Sequence, residues 1–218
     1  PVAMHHPGLI GDTDLIFTDK VNLENIDVIF LCMGHGKSRA FWEENPCPFG
    51  LKIIDLAQDF RDESEGYVYG LPEINRSRIS GASKIANPGC FATAIQLALL
   101  PLSKAGLLKG EINVQALTGS TGAGILPSAT THFSYRTGNI STYKVLTHQH
   151  LTEIRMNLGV GEIFISCPFA VTLPAVSLQL QNSAAIKQWK KYRPCTTIFT
   201  WSLHLLLRAT VPWTSSRL

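Results

Sequence analysis

Cys90 lies where a strand-like segment, 83–86, gives way to an apolar helical segment that runs over 92–100. A thiol at a helix N-terminus meets unpaired N–H groups and the positive end of the helix dipole, and both favour the thiolate. Pro88 presets the backbone ahead of the helix, and Gly89 lets the backbone come close to a bound group. These residue types predict a nucleophile, with a buried and inert cysteine as the equal alternative.

Two histidines, His148 and His150, precede a second helical stretch over 152–158. His150 and Glu153 are three residues apart, so they lie on one helical face. A carboxylate held to one imidazole nitrogen fixes the tautomer and leaves the other nitrogen for proton transfer. Metal ligation is not predicted, because no third ligand has a suitable spacing. Two ordinary loop histidines are the alternative.

The elements that must position these residues begin with apolar runs at 26–33 and 51–56, which are typical of buried parallel strands. Residues 38–44 can form a helix, 63–70 are predicted to be a loop, and the helix before Pro101 is predicted to end there. This alternation predicts βαβ units and a parallel sheet. Gly34, His35 and Gly36 follow the first strand, at the edge where such sheets bind ligands. They are candidates to border a cofactor, with a plain loop as the alternative.

From Glu111 the pattern of the strands changes. Residues 111–117 alternate polar and apolar, as in a strand with one buried face, and 162–166 form a further strand. The predicted fold class is α/β, a partial Rossmann-type parallel sheet plus an α+β substrate and dimerisation domain with a mixed or antiparallel sheet. The predicted domains are 1–108, 109–169 and an atypical tail, 170–218.

Further binding residues are predicted from charge and backbone freedom. Small residues at 120–124 suit a nest of N–H groups that binds an anion, with an empty turn as the alternative. Arg136 and Lys144 are candidates for a substrate carboxylate or phosphate. Arg76 is a weaker candidate, because nothing local fixes its direction.

Composition restricts the class of protein. With 218 residues, 45% hydrophobic and 16% charged, the chain is predicted to be globular. Its five cysteines form no CxxC pair, and their odd number, without a signal peptide, predicts free thiols in a reducing compartment. No apolar run reaches the ~18 residues of a transmembrane helix. The first 162 residues hold all 16 acidic residues, whereas the last 56 hold six scattered Lys and Arg. No nucleic-acid or membrane partner is predicted from that scatter.

Four motifs resemble those of the N-acetyl-gamma-glutamyl-phosphate reductase family, a branch of the semialdehyde dehydrogenases. Residues 87–93 (NPGCFAT) resemble its active-site segment. Residues 69–76 (YGLPEINR), 118–124 (TGSTGAG) and 148–154 (HQHLTEI) resemble three further segments in the same order. Together they cover roughly residues 8–166.

The resemblance implies NADPH-dependent reduction of an acyl phosphate, N-acetyl-5-glutamyl phosphate, through a thioester on Cys90. It implies that His150, or in second place His148, is the general acid/base and that Glu153 orients it. It also implies NADP as cofactor, a cytoplasmic location and a homo-oligomer. The implied substrate contacts are Asn87, Ser120, Arg136, Lys144 and Arg76, and the implied cofactor contacts are Gly34, His35, Gly36, Gly122, Ala123 and Gly124.

The chain departs from the family pattern at both ends. No G-x-G-x-x-G turn opens it, so we expect an N-terminally truncated copy whose missing part holds the residues that choose between NADP and NAD. The resemblance fades after residue 166, and a frameshift near residue 167 is our hypothesis; one uninterrupted frame on resequencing would contradict it. The alternatives are an inactive fragment or interaction module, a reductase of another acyl phosphate such as aspartyl phosphate, and a hydrolase that uses Cys90 and His150.

Overall fold

The first half of the chain forms a parallel sheet. The computed structural model describes residues 2–6, 8, 10–11, 13–117, 128–161, 163–170 and 177–181. The sheet consists of β1 (Val28–Leu31), β2 (Lys52–Asp55), β3 (Val68–Tyr69) and β4 (Lys84–Ala86). Their order is β1-β2-β4-β3 and every pairing is parallel, which confirms the predicted Rossmann-type sheet.

The helices of this half are short. They are α1 (Val2–His5), α2 (Ser38–Glu44) and α3 (Pro72–Ser80), with a 3₁₀ turn at Ser64–Gly66. The predicted helix at 38–44 is confirmed. The loop predicted at 63–70 is wrong in part, because it contains the 3₁₀ turn and β3. A strand of two residues has no periodicity to detect, and it is defined only by its pairing with Ile85 and Ala86.

Helix α4 (Cys90–Lys104) carries the predicted nucleophile as its first residue. The prediction that Pro101 ends this helix is wrong. A proline in a helix removes one hydrogen bond, yet Leu99 and Leu100 just before it are buried in the core. The carbonyl of Pro101 still accepts the N–H of Ala105 at 3.1 Å, so packing carries the helix through the proline.

The second sheet is mixed, as predicted. It consists of β5 (Ile112–Leu117), β6 (Ile140–Tyr143), β7 (Ile163–Ala170) and β8 (Ser177–Gln181), in the order β6-β7-β5-β8. Strand β5 pairs parallel with β7, whereas β5 with β8 and β6 with β7 are antiparallel. Two helices accompany it, α5 (Phe133–Arg136) and α6 (Leu151–Leu158).

Two hydrophobic cores lie under these elements. The first joins the parallel sheet to residues such as Phe60 and Tyr67. The second packs α4 against β5, α6 and Ile163, with Ile95 and Ile154 fully buried. The domain boundary near Leu108 stays a prediction, but α4 already packs in the second core although it precedes that residue.

The predicted tail enters the described structure only in part. Ala170 ends β7, and β8 pairs with β5. The remaining residues of 170–218 lie outside the described ranges. Among the helices that the structure describes, none has both the length and the apolar character to span a membrane.

Candidate active site

The Cys90 turn connects the two cores. Strand β4 ends at Ala86, and Gly89, three residues later, is the N-cap of α4 in an extended conformation. The Gly89 carbonyl accepts the N–H of Thr93 at 2.8 Å and its hydroxyl at 3.0 Å, which fixes the first helical turn. Phe91 and Ala92 are buried, whereas Cys90 is exposed. The thiol is thus accessible to a reactant at the N-terminus of a 15-residue helix.

His150 lies directly against this turn. It is the N-cap residue of α6 and is only 4% exposed. A Cβ placed on Gly89 would come within 2.6 Å of three atoms of the His150 ring. Only a glycine at position 89 therefore allows the imidazole to lie this close to the Cys90 turn.

His148 supports His150 from the other side. The His148 ring lies edge-on to that of His150 at a centroid distance of 4.6 Å, and edge-on to Phe91 at 5.2 Å. Its Nδ1 accepts the backbone N–H of His150 at 3.2 Å. A neutral His148 therefore carries its proton on Nε2.

Both histidines are neutral at physiological pH. Burial, reinforced by the charges of His148, Arg61, His35 and Lys144, lowers the pKa of His150 to about 3. Burial and the Lys144 charge lower the pKa of His148 to about 4. Nδ1 of His150 is buried and has no hydrogen-bond partner among the described residues. This nitrogen is free to take a proton, but the lowered pKa opposes protonation, so general acid/base catalysis near neutral pH requires a bound anionic substrate that raises this pKa.

Glu153 does not form the hydrogen bond to His150 that the spacing predicts. Oε1 of Glu153 and Nε2 of His150 are 4.0 Å apart, beyond hydrogen-bond range. The carboxylate has other partners instead. Oε1 pairs with Arg61 at 2.9 Å, and Oε2 accepts the Tyr69 hydroxyl at 2.6 Å and the Gly89 N–H at 3.2 Å.

Arg61 and Tyr69 are site residues that sequence reasoning missed. Arg61 follows β2 and Tyr69 ends β3, both at the carboxyl edge of the parallel sheet where ligand sites form. That position was the available signal, and Tyr69 also opens the YGLPEINR motif. Gln96 joins them, because its side-chain amide donates to the Tyr69 hydroxyl at 2.7 Å.

The predicted cofactor loop follows β1. Gly34 and Gly36 have φ of +90° and +81°, and a Cβ on either would meet no atom within 4 Å. His35 accepts the N–H of Gln58 at 3.1 Å, and Gly36 donates to Asp59 at 2.7 Å. Hydrogen bonds to Gln58 and Asp59 therefore hold this loop in place, while the space beside Gly34 and Gly36 is open in the described structure. This arrangement fits the close approach of a dinucleotide.

A cavity of about 400 Å³ lies beside this loop. It is bounded by the loops after β1 and β2 and by α6, and its walls include Arg39, Arg61, Asp59, Glu153 and Met156. The walls hold charges of both signs, two arginines and three carboxylates, of which the third carboxylate is Asp62.

The remaining predicted residues are distributed unevenly. Asn87 is exposed beside Cys90, and its carbonyl accepts Nε of Arg61 at 2.8 Å. Lys144 is exposed and donates to Gln149 at 2.7 Å, close enough for its charge to act on His150. Arg76 lies on α3 in a separate groove formed by α3 residues alone. The side chain of Arg136 and all of Ser120, Gly122, Ala123 and Gly124 lie outside the described part of the chain.

Two family models match the chain. The one described as "Semialdehyde dehydrogenase, NAD binding domain" matches residues 1–82, and "Semialdehyde dehydrogenase, dimerisation domain" matches residues 90–177. The chain belongs to the semialdehyde dehydrogenase family. The second model starts at Cys90, in agreement with the packing of α4 in the second core.

The chain is also similar to curated proteins within this family. The chain is 58% identical over 156 residues to N-acetyl-gamma-glutamyl-phosphate reductase of Azobacteroides pseudotrichonymphae, covering 71% of this chain and 49% of that protein. It is 54% identical to the reductase of Parabacteroides distasonis, covering 71% and 48%. The chain spans about half the length of these curated relatives.

A solved structure supports the fold. The crystal structure of aspartate semialdehyde dehydrogenase II from Vibrio cholerae matches with a TM-score of 0.54 at 19% identity. The match covers 75% of this chain and 59% of that one. At this identity the likeness concerns the fold alone.

The contact between Gly89 and His150 leads to a stability prediction. Gly89→Ala should lower the free energy of unfolding by about 1–3 kcal/mol, because the new methyl group overlaps the buried imidazole. Gly81→Ala is the matched control, since a Cβ there meets nothing within 4 Å and φ is −100°. Urea unfolding compares the two variants. Equal stability of both would contradict the close contact between the His150 ring and the Cys90 turn.

The buried neutral histidines predict a loss of stability in mild acid. The unfolded chain protonates a histidine near pH 6.5, whereas the folded chain holds the pKa of His150 at about 3 and that of His148 at about 4. Above pH 6.5 the two histidines are neutral in both states, and their contribution to the free energy of unfolding is complete. As the pH falls toward 4, the free energy of unfolding decreases by up to about 1.4 kcal/mol per pH unit for each histidine.

Urea unfolding between pH 6.5 and about 4 measures this slope in the parent chain and in the double variant His148→Asn/His150→Asn. Burial raises the pKa of Asp55, and this group acts with the opposite sign in both proteins. The difference between the two proteins therefore isolates the histidines. A double variant as acid-sensitive as the parent would overturn the prediction.

Proposed function

We propose that this chain carries the catalytic centre of an N-acetyl-gamma-glutamyl-phosphate reductase, which reduces N-acetyl-5-glutamyl phosphate to N-acetylglutamate 5-semialdehyde and releases phosphate. The observation that carries the proposal is the contact of the neutral His150 with the turn that presents Cys90 at a helix N-terminus. The two relatives at 58% and 54% identity, both named for this activity, support the choice of substrate.

The first half of the reaction forms a thioester. His150 takes the proton of the Cys90 thiol, and the thiolate attacks the carbonyl carbon of the acyl phosphate. The bond from that carbon to the bridging oxygen breaks, and phosphate leaves with the electron pair. The first N–H groups of α4 face the developing oxyanion, and one such donor is typically worth about 3 kcal/mol. The N–H of Gly89 is not among them, because Glu153 accepts it.

The second half releases the aldehyde. NADPH, when bound, would supply a hydride to the thioester carbon. Protonated His150 returns its proton to the alkoxide oxygen, which gives a thiohemiacetal on Cys90. His150 then removes the hydroxyl proton, the carbon–sulfur bond breaks, and Cys90 leaves as the thiolate. The one proton consumed overall with the hydride goes to the departing phosphate, which is released as HPO₄²⁻.

Several residues complete the proposed site. The open loop of Gly34, His35 and Gly36 would hold the dinucleotide, together with Gly122, Ala123 and Gly124. Lys144, Arg136, Ser120 and Asn87 would contact the substrate. Arg76 stays a weaker prediction, since its groove is separate from the Cys90 turn.

The proposal includes the setting of the enzyme. Three exposed free cysteines, Cys32, Cys47 and Cys90, suit a reducing compartment such as the cytoplasm. The match to a model described as a dimerisation domain supports a homo-oligomer. NADP, rather than NAD, is proposed from the family resemblance.

Turnover by the chain as it stands tests this function. The chain is mixed with N-acetylglutamate semialdehyde, phosphate and NADP. We expect NADPH to form, and its ultraviolet absorbance measures the rate. Cys90→Ser should abolish the signal, and His150→Asn should reduce kcat by about 10²–10⁴, the usual contribution of a general acid/base. Cys47→Ser, which removes another exposed thiol, should keep the activity of the parent.

Two outcomes would contradict the proposal. NADPH formation that needs no phosphate, or that survives Cys90→Ser, would exclude the thioester route. A folded chain without turnover would assign the activity to a longer protein and make this chain an inactive fragment. Aspartate semialdehyde in the same assay separates the related substrate.

A further inference from the structure

The Arg61 guanidinium connects three separate segments of the chain. Nη2 donates to the carbonyl of Leu56 after β2 at 3.1 Å, and Nε donates to the carbonyl of Asn87 before Cys90 at 2.8 Å. Nη1 pairs with Glu153 of α6 at 2.9 Å. One side chain therefore links the parallel sheet, the Cys90 turn and α6, whose N-cap is His150.

Glu153 completes the connection from the side of α6. It accepts the N–H of Gly89, the residue immediately before Cys90, and the hydroxyl of Tyr69. The side chains of Arg61 and Glu153 are only 7% and 4% exposed, so water screens neither charge. A full negative charge at the start of α4 would oppose a thiolate at Cys90, whereas the adjacent Arg61 neutralises it.

We propose that Arg61 and Glu153 are paired positioning residues. The pair fixes the position of the Cys90 turn relative to His150. It also determines the net charge beside the Cys90 thiolate. The inference rests on the proposed function, because it assumes that Cys90 reacts as a thiolate. Arg61 and Glu153 themselves need not touch the substrate.

Charged and titratable groups surround this pair on several elements. Asp55 of β2 interacts with the Arg61 charge, and Asp59, Asp62 and Arg39 line the same cavity as the pair. Tyr69 faces Glu153 directly, and the pKa of its hydroxyl is raised by burial and by that carboxylate. His148, His35 and Lys144 act on His150 together with Arg61. Tyr69, His148 and His150 are uncharged at neutral pH, whereas Arg61 and Glu153 are the charged side chains that the described structure shows hydrogen-bonded to the backbone of the Cys90 turn.

The test is the pH profile of Cys90 alkylation by iodoacetamide, a reagent that reacts with the thiolate. Peptide mass spectrometry of the full chain reads Cys90 separately from the exposed Cys32 and Cys47, which serve as internal references. Arg61→Met leaves the Glu153 charge unbalanced and should move the midpoint at Cys90 up by about one pH unit. Glu153→Gln leaves the Arg61 charge unbalanced and should move it down by a similar amount.

Controls separate charge from simple loss of structure. Arg61→Lys keeps the charge and should stay near the parent midpoint, and Arg61→Met/Glu153→Gln should return toward it. Arg78→Met removes an arginine that pairs with Glu63 at the surface, where it is 50% exposed, and should leave the midpoint unchanged. Near-ultraviolet circular dichroism establishes that each variant is folded.

Opposite shifts in the two single variants support the inference. Shifts in the same direction, or no shift in folded variants, would overturn it. If Arg61→Met does not fold, Glu153→Gln decides alone. A downward shift of the Cys90 midpoint then supports the inference, and the absence of that shift overturns it. The measurement needs neither substrate nor dinucleotide, so a failure of the reductase assay leaves its outcome readable.

Discussion

The buried ion pair between Arg61 and Glu153 is the interaction on which the candidate site depends. Its nitrogen and oxygen are 2.9 Å apart, in side chains that are almost fully shielded from water. Removing one partner of such a pair typically costs about 3–5 kcal/mol, because the other charge stays buried alone. The remaining hydrogen bonds of both groups go to Asn87, Leu56, Tyr69 and Gly89, which makes the pair the junction of several segments.

The site draws its reactive groups from two cores, and this explains the need for such a junction. Cys90 follows the parallel sheet, whereas His150 begins a helix of the second core. Helix α4 crosses between them, since it starts at the sheet edge and packs its length against β5 and α6. Gly89 sets the closest distance between the two parts, because it has no side chain to hold the imidazole away. The geometry of the candidate site and the packing between the two cores are therefore one arrangement.

Local patterns predicted the elements that have a repeating signal. The alternation of β5 was readable because burial of one face imposes a period of two on the sequence. The apolar run at 26–33 predicted strand β1 correctly but not its burial, since Val28 and Phe30 are 42% and 61% exposed. The motifs located Cys90 and His150. Partners far apart in sequence were not readable, since Arg61 and Glu153 are 92 residues apart and no local pattern joins them. The same limit explains why the predicted bond from Glu153 to His150 is wrong. The spacing suggested that contact, but the Glu153 carboxylate pairs with the distant Arg61 instead.

Acyl transfer to Cys90 is the most direct test of the proposed chemistry. The chain is mixed with N-acetyl-5-glutamyl phosphate in the absence of any dinucleotide, and the mass of the intact protein is measured, followed by peptide mapping. We expect one N-acetylglutamyl group per chain, on Cys90, and none on Cys90→Ser. A folded chain that stays unmodified, or that carries the group on Cys32 or Cys47, would contradict the claim that its own residues assemble the nucleophile.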